Sequence, residues 1–124
     1  MDINTFREEW ARVHCEYNER VETLSRRKNE LITSISQLSH QLSELNRLAS
    51  TSERQRSAIL FRRPVSHRGR FNLGCLGEDM AVMVSRTQDL TRSKEAAEAE
   101  LRDVEAQLTA ARVRFARELS RLRQ

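Results

Sequence analysis

Apolar residues recur along this chain in steps that alternate between three and four. One series runs Val21, Leu24, Lys28, Leu31, Ile35, Leu38, Leu42, Leu45 and Ala49. A second runs Leu76, Met80, Met83, Thr87, Leu90, Lys94, Ala97, Leu101, Val104, Leu108, Ala111, Phe115, Leu119 and Leu122. A mean spacing of about 3.5 residues is the heptad seam of a coiled coil. The positions between are mostly Glu, Arg, Ser, Gln and Asn, the composition of a solvated helix face. The first series extends backwards through Tyr17, Val13, Trp10, Phe6 and Ile3, with two consecutive steps of four at Val13–Tyr17–Val21. The second has the same irregularity at Ala111–Phe115–Leu119. Such a stutter locally unwinds the supercoil.

The two seams fit each other when run antiparallel. Position 49 then faces 76, 24 faces 101, 10 faces 115 and 3 faces 122, and every such pair sums to 125. Val13 against Ala111 is the one departure, and it falls where both stutters lie. Each a position meets a d position, as antiparallel packing requires. This shared register predicts an all-α fold, a long antiparallel two-helix coiled-coil hairpin in a single domain. An antiparallel homodimer through the same seam is the alternative. Thr5 with Glu8 forms a capping box. The expected boundaries are a first helix over about 3–58, a basic turn region over about 59–75 and a second helix over about 76–123. Arms of about 47 residues would each span roughly 70 Å.

Local chemistry sharpens this reading. Pro64 disfavours helix at Arg63, and Gly69, Gly74 and Gly77 all follow within the expected turn region or at its edge. Glu78 and Asp79 suit the positive end of the second helix. Lys28 opposite Ala97, and Lys94 opposite Leu31, cost stability but pin the register. Phe6, Trp10, Tyr17 and Phe115 gather at the end holding both termini, which should be the best packed. Ala49, Met80, Met83 and Thr87 make the other end smaller and softer. Val82 and Val84 lie off the stripe and are expected to pack over the tip, with contact to a partner as the alternative.

Composition agrees with long solvated helices. The chain has 124 residues, 32% charged and 5% aromatic, too few rings for a thick core. It has no apolar run long enough to span a membrane, and its first ten residues lack the features of a secretory signal. Cys15 and Cys75 form no motif and, in the hairpin, sit about 50 Å apart along the rod. A reducing, cytoplasmic setting is the reading that follows.

The candidate chemistry is binding chemistry. His14, His40 and His67 are far apart along the rod, so no metal set is expected, and they read as solvated helix residues. The glycines lack the Lys-Ser/Thr of a phosphate loop. No catalytic set is visible, so the chain reads as a non-enzyme without a cofactor. Charge is unevenly placed. The chain carries a net +4, yet 54–77 holds Arg54, Arg56, Arg62, Arg63, Arg68 and Arg70 and no acid. These six arginines are the candidate partner-binding residues, because guanidinium forks suit carboxylates and phosphates. Phe61 and Phe71 flank them and would stack on bases or cap the hairpin.

A basic two-helix hairpin with both termini at one end resembles the stalk family of flagellar and type III secretion export ATPases. The resemblance is architectural and covers the whole chain. It implies a small coiled-coil protein that inserts into a hexameric, ring-shaped ATPase, as the gamma subunit does in rotary ATPases. Transcript-cleavage factors of the Gre type also carry a hairpin, but with paired acids at the tip, where this chain is basic. The expected function is a non-enzymatic coiled-coil interaction or adaptor protein, stalk-like in protein transport, with an acidic or ring-shaped protein partner. The alternative is a nucleic-acid-binding hairpin that contacts phosphates through its arginine-rich tip.

Overall fold

A chain without glycine or proline from residue 3 to residue 61, rich in Leu, Glu and Arg, has nothing to interrupt a helix. The computed structural model describes residues 2–61 and 67–124, and the side chains of 2–51 and 80–124. It has two helices, α1 over Ile3–Phe61 and α2 over His67–Arg123, and no strand among the described residues. The helices pack against each other as a hairpin: Val21, Leu24 and Leu31 of α1 share one apolar cluster with Ala97, Leu101, Val104 and Leu108 of α2.

The helix ends differ from the expected ones. The Phe6 N–H donates to the Asp2 carbonyl at 2.8 Å, so Asp2 occupies the cap position and Thr5 lies inside α1. Aspartate is at least as good a cap as threonine, and it comes first in the chain. At the far end of α2 the Gln124 N–H donates to the Arg121 carbonyl at 3.3 Å, a tightened last turn, with Arg121 and Arg123 at the negative end of the dipole. The basic turn region expected over 59–75 falls on residues whose side chains are not described; α1 runs to Phe61 and α2 begins at His67. Gly69, Gly74 and Gly77 therefore fall inside α2. Each glycine costs a helix about 1 kcal/mol relative to alanine.

The chain divides into two units. One joins Met1–Ser34 to Ala97–Gln124, so both chain ends belong to it; the other is Ile35–Ala96. In the first unit Val13, Leu31, Val104, Leu108, Ala111 and Leu122 are buried, and all are seam positions. Phe6, Trp10, Tyr17, Val21, Leu24, Lys28, Ala97, Leu101, Phe115 and Leu119 are half-buried. Ile3 is an exception to the expected layering: it is 68% exposed, at the first residue of α1, while Leu122 is buried without it. Arg27 Nη2 lies 2.6 Å from Glu100 Oε1, an ion pair between the helices. It sits between the layers 24/101 and 28/97, where the shared register puts it. Both side chains are about half exposed, so the pair contributes roughly 0.2–1 kcal/mol and bears more on register than on stability.

In the second unit every described seam position is half-buried: Ile35, Leu38, Leu42, Leu45 and Ala49 on α1, and Met80, Met83, Thr87, Leu90 and Lys94 on α2. Thr87 is accommodated there because its hydroxyl donates to the Met83 carbonyl at 2.8 Å. Val82 and Val84 do not pack over the tip; they are 66% and 53% exposed. Two positions apart on a helix are about 200° apart, so a single partner helix cannot cover both.

Candidate interaction site

In an α-helix each side chain leans towards the N-terminus of its own helix. In an antiparallel pair the two sets of side chains therefore lean in opposite directions along the rod. Tyr17 leans back to the level of Val13 and His14, and Phe115 leans back to the level of Ala111, which faces that same point. The two rings meet, stacked at 4.1 Å and 13° between planes. The expected pairing of Trp10 with Phe115 is replaced for the same reason. Trp10 leans towards Phe6, at 5.9 Å, and lies 4.5 Å from His14. His14 completes the cluster edge-on to Phe115 at 5.0 Å. The four aromatic residues expected to gather in this unit do so, with a histidine between them.

His14 does not read as the solvated residue expected. It is half-buried, and its Nε2 is buried without a hydrogen-bond partner among the described residues. The stutter is the cause. Over a locally unwound stretch the inward face widens, and positions 13 and 14 both turn inwards. The steps Trp10–His14–Tyr17–Val21 are four, three and four, as regular as the route through Val13, and that was the available signal. His40 is exposed, and His67 lies outside the residues whose side chains are described.

Beside the aromatic stack lies a groove of about 560 Å³. Val13, Tyr17, Leu24, Ala111 and Phe115 form its floor. Glu16, Glu19, Arg20 and Thr23 edge it from α1, and Gln107, Arg114 and Glu118 from α2. Most of the edge is satisfied within its own helix. Arg12 pairs with Glu9 at 2.6 Å and Glu16 at 3.1 Å, Arg114 with Glu118 at 3.3 Å, and the Gln107 amide donates to Asp103 at 2.8 Å. Arg20 and Glu19 have no ion-pair partner among the described residues.

Glu19 also governs Cys15, which is exposed and free. The thiol lies 3.6 Å from Glu19 Oε1. The carboxylate's charge, and then its hydrogen bond to the protonated thiol, push the Cys15 thiol above the usual cysteine range. A neighbouring anion disfavours the thiolate, so less of it is present at neutral pH and alkylation is slow. In a Cys75→Ser background, Glu19→Gln is expected to move the rate–pH curve for iodoacetamide to lower pH. An unchanged curve would sink this account of the thiol.

The arginine-rich segment lies outside the residues whose side chains are described. Arg54 and Arg56 fall within the bounds of α1, Arg68 and Arg70 within those of α2, and Arg62 and Arg63 between the helices. Among the described residues no group of three His, Cys, Asp or Glu side chains is placed to hold a metal ion, and no helix is long and apolar enough to cross a membrane. Comparison with known protein families, with curated proteins and with solved structures finds no match.

Proposed function

We propose that the chain is a coiled-coil interaction protein that acts by binding rather than by catalysis, an adaptor or stalk. The observation that supports this reading is the hairpin itself: two helices of 59 and 57 residues packed on a narrow seam, with both chain ends in one unit. Such a fold has few concave surfaces for a substrate and offers long charged faces and a tip for contact. The finer reading is a stalk-like component of a type III secretion or flagellar export apparatus in the cytoplasm. The hairpin would be presented to a ring-shaped ATPase or another acidic partner, with Arg54, Arg56, Arg62, Arg63, Arg68 and Arg70 supplying the contact. Six arginines without an acid among them repel one another, and an acidic surface relieves that repulsion.

The test replaces Arg62, Arg63, Arg68 and Arg70 together by serine. Helicity by circular dichroism should barely change, because no seam position is altered. Capture of a protein partner from cytoplasmic extract should fall, and what remains should lose its dependence on salt. If capture survives intact, the contact lies elsewhere. Tight RNA binding by the unaltered chain, with a steep salt slope that the variant loses, would replace this reading with the nucleic-acid one.

A further inference from the structure

The groove in the first unit is open because a cross-helix bridge found one heptad away is missing beside it. On the same flank, Arg27 and Glu100 bridge the helices and cover the seam. One heptad nearer the termini the equivalent positions are Arg20 and Gln107. Gln107 turns along its own helix to Asp103, so no bridge forms, and the half-buried Tyr17–Phe115 stack is left on the groove floor. The flanks of a two-helix seam are covered by side chains reaching across between the helices, and this flank lacks that cover.

The unpaired charges select what covers it instead. Glu16, Arg114 and Glu118 are neutralised by neighbours on their own helices. That leaves Glu19 and Arg20, adjacent in sequence, opposite in sign, exposed, and on the same edge of the groove. A uniformly acidic partner would satisfy Arg20 and repel Glu19, and a basic one would do the reverse. A twofold axis passing between the two residues satisfies both, since in an isologous contact residue i meets j and j meets i. With α1 antiparallel to α1 of a second copy, each Arg20 faces the other's Glu19. An apolar centre edged by paired charges is also how stable interfaces are arranged.

We infer that this groove seats a second copy of the chain, hairpin against hairpin, over Tyr17 and Phe115, with reciprocal Arg20–Glu19 ion pairs. Each hairpin stays closed, which distinguishes this dimer from one that exchanges helices through the seam. It stands independently of the adaptor reading above.

Analytical ultracentrifugation of the full chain over a wide range of micromolar concentration tests it. The unaltered chain is expected to show a reversible monomer–dimer equilibrium. Arg20→Glu and Glu19→Arg each place like charges together at the axis and should raise the dissociation constant at least about tenfold. The double swap in one chain should restore it, and an equal mixture of the two single variants should form a heterodimer. Circular dichroism confirms that each variant is folded, and the double swap decides the matter if a single variant is not. A chain that stays monomeric throughout, a dimer indifferent to all three variants, or a monomer that captures some other protein through this groove would each overturn the inference.

Discussion

Phe115→Ala is expected to lower the unfolding free energy by about 3 kcal/mol, the low end of the range for removing a buried phenyl ring. The low end applies because Phe115 is half-buried. Its ring is nevertheless the one that crosses between the helices, stacked on Tyr17 and edge-on to His14. Such aromatic pairs contribute about 0.5–1.5 kcal/mol beyond the area they bury. Trp10 is larger, but its aromatic neighbours, Phe6 and His14, are on its own helix. Trp10→Ala should therefore cost less. Urea denaturation of the two variants decides the order. Equal costs would mean that the crossing stack is not what holds the helices together here.

Val104→Asp should be more damaging still. Val104 is 4% exposed and lies in the cluster with Leu31 and Leu108. A carboxylate placed there without a paired cation is expected to cost about 3–5 kcal/mol, much of what a small domain has in total. The cooperative helical signal should be lost at neutral pH. Burial raises the pKa of such an aspartate, so the penalty is full above the raised value and shrinks as pH falls through it. Partial recovery of helicity on mild acidification is therefore expected for Val104→Asp and not for Val104→Asn. Recovery in both, or in neither, would mean that lost packing rather than buried charge causes the damage.

The seam was legible because a two-helix fold has only one contact stripe, and period decides which residues lie on it. Every expected seam position from Phe6 to Leu122 whose side chain is described is buried or half-buried. Arg12 pairs with Glu9 and Glu16 at the same helical spacing. What escaped depends on side-chain direction rather than on position along the axis. Phe115 meets Tyr17 and not Trp10 because both rings lean back along their own helices. His14 turns inwards only because the stutter widens the inward face around it. The groove was hidden for a third reason, that Gln107 bonds to Asp103 on its own helix rather than reaching across to α1. Gly69, Gly74 and Gly77, read from the sequence as part of the turn region, fall within the bounds of α2, where glycine is a penalty rather than a stop.

The way the chain threads its first unit also bears on how it folds. Met1–Ser34 and Ala97–Gln124 are separated in sequence by all of Ile35–Ala96. Joining them directly from the unfolded chain closes that whole length before any apolar contact compensates. Pairing within Ile35–Ala96 first would shorten that loop, and a hairpin that zipped outwards from there would form the layers around Val13, Ala111 and Phe115 late. Interactions absent from the transition state act on the rate of unfolding. The aromatic rings at the chain ends would then set how long a folded hairpin lasts and have little influence on how fast it forms.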